Sequence, residues 1–149
     1  MDEIKRLQNF LPTLRACANW SVQEFAEMLG VTRQTINNLE KVDGGTEMSK
    51  IQYLAIRSLF SYEIEKNNNK KLSDLLYYLV DHPEKLNQEK QAMLSQQAKV
   101  LSSAIKGGAS ATDVDDIWTS ILEVVGITAI GTAIGVAISW IDSYMNRHI

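Results

Sequence analysis

Arg33, Gln34, Thr35, Asn37 and Asn38 crowd one short stretch of the chain, and their guanidinium, amide and hydroxyl groups are of the kinds that hydrogen-bond base edges and phosphates. On an arbitrary helix such a polar face is ordinarily a solvated surface, so its meaning rests on what flanks it. Other chemistries find no comparable group. No Ser/His/Asp set, paired catalytic carboxylates or phosphate-cradling glycine loop stands out, and Gly44-Gly45 alone is too little to suggest one. Cys17 is the single cysteine, which excludes an intramolecular disulfide; with only His82 and His148 beside it, no metal-ligand cluster of recognisable spacing forms. The thiol has no partner that would make it a nucleophile, so Cys17 and Trp20 are expected to pack in or beside a small core. The chain therefore reads as a non-enzyme without metal or cofactor.

To face a ligand, the polar stretch needs a helix held at a fixed angle by its neighbours. Residues 20–45, WSVQEFAEMLGVTRQTINNLEKVDGG, predict two short helices with a sharp turn between them. Ser21 followed by Glu24 is a capping box that satisfies backbone donors at the start of the first helix. Phe25, Ala26, Met28 and Leu29 supply its apolar face. Gly30 ends it, because glycine adopts the left-handed conformation that a helix exit commonly needs. Thr32 is placed to cap the second helix, Ile36 and Leu39 are its buried side, and Val31 plugs the turn.

Gln23-Glu24-Phe25-Ala26-x-x-Leu29-Gly30-Val31-Thr32-x-x-Thr35-Ile36-x-x-Leu39-Glu40 resembles the helix-turn-helix of the phage-repressor (Xre/Cro-like) family of transcriptional regulators. Small Ala26, Gly30 and the apolar plugs must fall at fixed offsets for two helices to cross at the angle this motif needs. The resemblance covers roughly residues 4–64. A helix precedes Asn19 and another starts near the cap Ser49, where Ile51, Leu54, Ala55, Ser58 and Leu59 keep a helical spacing expected to close the core. The resemblance implies that Arg33–Glu40 enters the major groove with Arg33, Gln34 and Asn38 nearest the bases. It places Thr32, Thr35, Asn37 and the loop from Lys41 to Thr46 nearer phosphate. Two positions depart from the pattern: Val22 stands where many relatives carry a phosphate-binding glutamine, and the loop holds Asp43 and Glu47 in place of further cations.

Composition agrees with an all-α chain, having 2 prolines and 8 glycines in 149 residues and runs rich in Leu, Glu, Gln, Lys and Ala. The net charge of −3 is spread evenly, with 8 basic against 9 acidic residues over 1–66 and 7 against 9 over 67–149, so charge alone announces no nucleic acid. The polar run after Ile64 predicts a boundary between a five-helix helix-turn-helix domain at 1–66 and a helical oligomerisation region at 67–149. In the second region Leu72, Leu75, Leu76, Leu79 and Val80 line one side of a helix that His82-Pro83 ends. A helix from about Pro83 to Lys106 carries Leu86, Met93 and Val100 at spacing seven, with Leu94, Leu101 and Ile105 alongside. Gly107-Gly108 closes it, and Thr112 is placed to cap a last helix over about 113–145.

That last helix contains Thr-Ala-Ile-Gly twice, at 128–131 and 132–135. As a helix, the period of four aligns Ile130, Ile134 and Ile138 in one ridge and Gly131, Gly135 and Ser139 in the next, where a second helix can approach closely. A strand would need a pairing partner, and the chain offers no second β-like run. The 18 uncharged residues 124–141 are at the short end of what spans a bilayer, but threonines, serine and glycines dilute them and the preceding flank is acidic. Packing against protein is the favoured reading, with Ile130, Gly131, Ile134, Gly135, Ile138 and Ser139 as the dimerisation surface. The resulting expectation is a cytoplasmic, sequence-specific regulator that binds double-stranded DNA as a homodimer, most simply a repressor. The alternatives are an interaction protein of the antitoxin or anti-repressor type, which takes a protein partner, and a regulator tethered to the cytoplasmic face of the membrane by residues 124–141. No secretory signal is expected, because Met-Asp-Glu-Ile-Lys-Arg leads into a polar mixture.

Overall fold

A computed structural model of the chain describes residues 2–41, 45–129 and 133–148, the last stretch without the side chains of 133–139 and 148. Those residues are all-α and contain no strand. The expected helix before Asn19 is two, α1 (Glu3–Asn9) and α2 (Leu11–Cys17). Pro12 has no N–H to donate to Gln8, and the chain bends at Phe10 instead of continuing. α3 (Val22–Leu29) begins with the capping box: Glu24 N donates to Ser21 Oγ at 3.0 Å and Ser21 N donates to Glu24 Oε1 at 3.1 Å. It ends at Gly30, whose φ of 71° only glycine adopts without strain. α4 (Arg33–Glu40) is capped by Thr32, whose Oγ1 accepts from Thr35 N at 3.2 Å. α5 (Lys50–Asn67) starts with a second capping box, Ser49 with Gln52.

The buried face of α5 is not the one the spacing predicts. Ile51 is 81% exposed, Ala55 and Ser58 are exposed, and Leu54 and Leu59 are half-buried. Tyr53, Ile56, Phe60 and Ile64 face the core instead. The aromatic rings decide this, since Trp20, Phe25 and Phe60 stack at centroid distances of 5.6 to 6.1 Å and pull their side of the helix inward. Arg57 goes inward with them. Its guanidinium grips Asp81 with two bonds, at 2.6 and 2.9 Å, and lies 4.8 Å over the Trp140 ring.

After a left-handed Asn68 (φ 50°), α6 (Lys70–Leu75) runs into a π-helical turn, Leu76–Asp81. Leu72, Leu75, Leu76, Leu79 and Val80 are all buried, as their spacing predicts. The helix expected from Pro83 begins later: Pro83–Lys85 is a single 3-10 turn, and α7 (Gln88–Lys106) starts at the Asn87 cap. Its buried face is Leu94, Ala98 and Leu101, whereas Val100 is 51% exposed and Met93 half-buried. A spacing of seven drifts about 20° per repeat on a straight helix, so it does not mark the side that meets α2 and α8.

α8 (Ala111–Val125) is capped by Ser110 and not by Thr112, with Asp113 N donating to Ser110 Oγ at 3.1 Å. It ends at Gly126, φ 75°, where Gly126 N and Ile127 N both return to the Leu122 carbonyl. The single helix expected over about 113–145 is therefore interrupted, and the chain resumes as α9 (Ala133–His148). A bilayer span over 124–141 would have to cross that break. Among the described residues no helix is long and apolar enough to cross a membrane.

α9 lies across α5 and α6. Trp140 Nε1 donates to Ser61 Oγ at 2.7 Å, Tyr144 packs on Tyr53 with centroids 5.4 Å apart, and Arg147 reaches Glu3 of α1 at 3.7 Å. One hydrophobic cluster consequently runs from Leu7 to Tyr144 across the expected 66/67 boundary.

Candidate nucleic-acid interface

α4 turns one side to the core and the other outward. Ile36 and Leu39 are buried, as expected, while Arg33, Gln34 and Asn37 are exposed and Thr35 and Asn38 half-buried. Arg33 and Gln34 therefore stand at the exposed start of α4. Gln34 Nε2 donates to Asn38 Oδ1 at 3.2 Å, an i, i+4 pair that presents two amides side by side. The hydroxyls of Thr32 and Thr35 are 3.0 Å apart, with Thr32 also engaged as the cap. Lys41 follows as an exposed residue in extended backbone. Val42, Asp43 and Gly44 lie outside the described residues. Glu24, Glu27 and Glu47 are exposed on the neighbouring elements, and Gln23 bonds Glu27 at 3.0 Å.

What holds α4 in place is partly apolar and partly ionic. Phe25, Ala26, Ile36 and Leu39 form the packed seam between α3 and α4. Val31 does not plug it: it is 37% exposed, and Met28, on the side of α3 away from buried Phe25 and Ala26, is 43% exposed. The far end of α4 is fixed by Arg15 of α2, whose Nε and second terminal nitrogen bond Glu40 at 2.7 and 3.0 Å and whose remaining nitrogen donates to the Trp20 carbonyl at 2.9 Å. A two-point guanidinium–carboxylate bond fixes direction as well as distance. Sequence reading missed this pair, since no local periodicity links two residues 25 positions apart.

Cys17 is buried at the end of α2, and burial pushes its thiol up to about 12, opposed only in part by Lys71. Among the described residues no group of three histidines, cysteines or carboxylates is placed to hold a metal ion. The expected dimerisation surface cannot be placed: Ile130 and Gly131 lie outside the described residues, and of Ile134, Gly135, Ile138 and Ser139 only the helical backbone is described.

The family model for the helix-turn-helix matches residues 14–41, from the middle of α2 through the end of α4. No curated protein and no solved structure matches the chain. The matched segment contains the elements whose geometry is described above: the capped α3, the left-handed Gly30, the capped α4 and the Arg15–Glu40 brace. Residues 14–41 of this chain accordingly match the helix-turn-helix family, in keeping with the Xre/Cro-like resemblance of their sequence.

Proposed function

We propose that the protein is a sequence-specific transcriptional regulator, in the first instance a repressor, that reads double-stranded DNA as a homodimer. The observation that carries this is the outward face of α4, where Arg33, Gln34 and Asn37 stand clear of the core and half-buried Asn38 joins Gln34, on a helix braced at both ends. Arg33, Gln34 and Asn38 are assigned to base edges, and Thr32, Thr35, Asn37 and Lys41 to the sugar-phosphate backbone. One helix of eight residues reads few base pairs, and dimers of this motif gain specificity by placing two such helices in half-sites about 34 Å apart. The dimer surface is assigned to the segment around Ile130–Ser139.

Selection from a pool of randomised duplexes followed by a salt titration tests the proposal. A recovered pseudo-palindromic site, bound with an affinity that falls steeply with salt, supports it. Absence of duplex binding even at low salt sinks it in favour of a protein-binding helix-turn-helix, a reading that the exposed Glu24, Glu27 and Glu47 beside α4 would then explain. Light scattering on the free chain and on its complex with the selected duplex checks the dimer separately.

A further inference from the structure

Gln8 lies on α1, upstream of the segment that matches the helix-turn-helix. Its side-chain amide is tied to the chain that leaves α4. Nε2 donates to the Leu39 carbonyl at 3.1 Å and to the Thr46 carbonyl at 2.7 Å, while Oε1 accepts from Met48 N at 2.9 Å. Both amide protons are thereby in use. The last carbonyls of a helix have no partner within it, so the bond to Leu39 also satisfies the end of α4. Gly45 holds the same stretch from the other side. A Cβ there would run into the Asn38 carbonyl, which is helix backbone, and would crowd Lys41 as well. Met48, just beyond, is buried in the core.

We infer that Gln8 is a positioning residue for phosphate contacts: by tying Thr46 and Met48 to the end of α4, it fixes where Thr46 stands relative to Lys41 and the base-reading face. The inference rests on the DNA-binding reading above and extends it to α1. Lys41 and Thr46 are both exposed. A residue held in place before binding loses less freedom when it meets DNA. α4 itself is held by Arg15 and the core, which a change at Gln8 leaves in place, so discrimination between sequences is expected to survive while affinity falls.

Gln8→Met tests this, because it keeps the length and adds no charge but cannot donate. The full chain and the variant are compared for binding to a mixed-sequence duplex over a range of salt, for hydrogen exchange of the Met48 amide, and for circular dichroism. The expected result is an unchanged helical spectrum, faster exchange at Met48, several-fold weaker binding and a log–log salt slope smaller by about 0.9, the equivalent of one phosphate contact. Gly45→Ala, which disturbs the loop through a different contact, is expected to give the same loss of slope and serves if Gln8→Met does not fold. Unchanged affinity and slope in folded Gln8→Met confine Gln8 to a structural role and overturn the inference. A parent chain that binds no duplex overturns the DNA-binding reading and this inference together, and is recognised before any variant is made.

Discussion

Arg33 and Arg57 show how one residue type takes opposite parts. Arg33 is exposed at the start of α4. As a base reader, its replacement by alanine is expected to cost about 1–3 kcal/mol on the selected site and less on random duplex. Equal losses on the two, measured by titration, would remove it from that role. Arg57 is 1% exposed and bound at two points to Asp81, 7% exposed. Asp81→Ala leaves a buried guanidinium without its counter-charge and is expected to lower stability by about 3–5 kcal/mol, read by urea unfolding; a loss below 1 kcal/mol, the range of exposed pairs, would show that water reaches Arg57. Burial also raises the Cys17 thiol from 9.0 and the Tyr53 hydroxyl from 10.0, each to about 12, with Arg57 opposing the rise only in part at Tyr53. In the unfolded chain both ionise at their ordinary values. Below pH 9 neither state loses a proton from them; between pH 9 and 12 the unfolded state binds fewer protons, so stability falls as pH rises. Cys17→Ala is expected to make that alkaline fall shallower, and an unchanged slope in unfolding curves would show that the thiol is not held protonated.

At the scale of the element, ends were more legible in the sequence than faces. Ser21, Thr32 and Ser49 cap the helices that their spacing predicts, because a cap is a bond between residues three positions apart. Gly30 is left-handed for an equally local reason. Gly30→Ala adds a Cβ at φ 71° with no packing clash, so it is expected to cost about 1–2 kcal/mol of stability from backbone strain alone. A thermal midpoint at the parental value would show that the turn relaxes. The buried faces of α5 and α7 differ from the periodic stripes, since Ile51 and Val100 fit a stripe yet stay exposed. Which stripe is buried depends on the neighbour, and α5 meets an aromatic stack, an ionic pair and α9.

For the molecule as a whole, the core bears on the division at 66/67. α2 packs on α7, and α5 on α9, so the helix-turn-helix shares apolar surface with the second half. Truncation after Lys106 would remove Trp118, Ile121, Val125, Trp140 and Tyr144, all buried. The shortened chain is expected to lose the sharp unfolding transition of the full one and to bind an apolar dye. An unfolding midpoint equal to that of the full chain would mean that residues 1–106 fold independently.

By itself the sequence determined the helical class, the caps, the left-handed exit at Gly30 and the outward polar face of α4, because each rests on bonds or spacings within a few residues. It also carried the family resemblance, whose offsets are equally local. Only the tertiary structure decided which side of α5 and α7 is buried, and that Gln8, Arg15 and Glu40 together hold the C-terminal end of α4. Those features join residues 25 or more positions apart, or turn on which of two apolar stripes finds a partner. Neither is encoded in a local pattern.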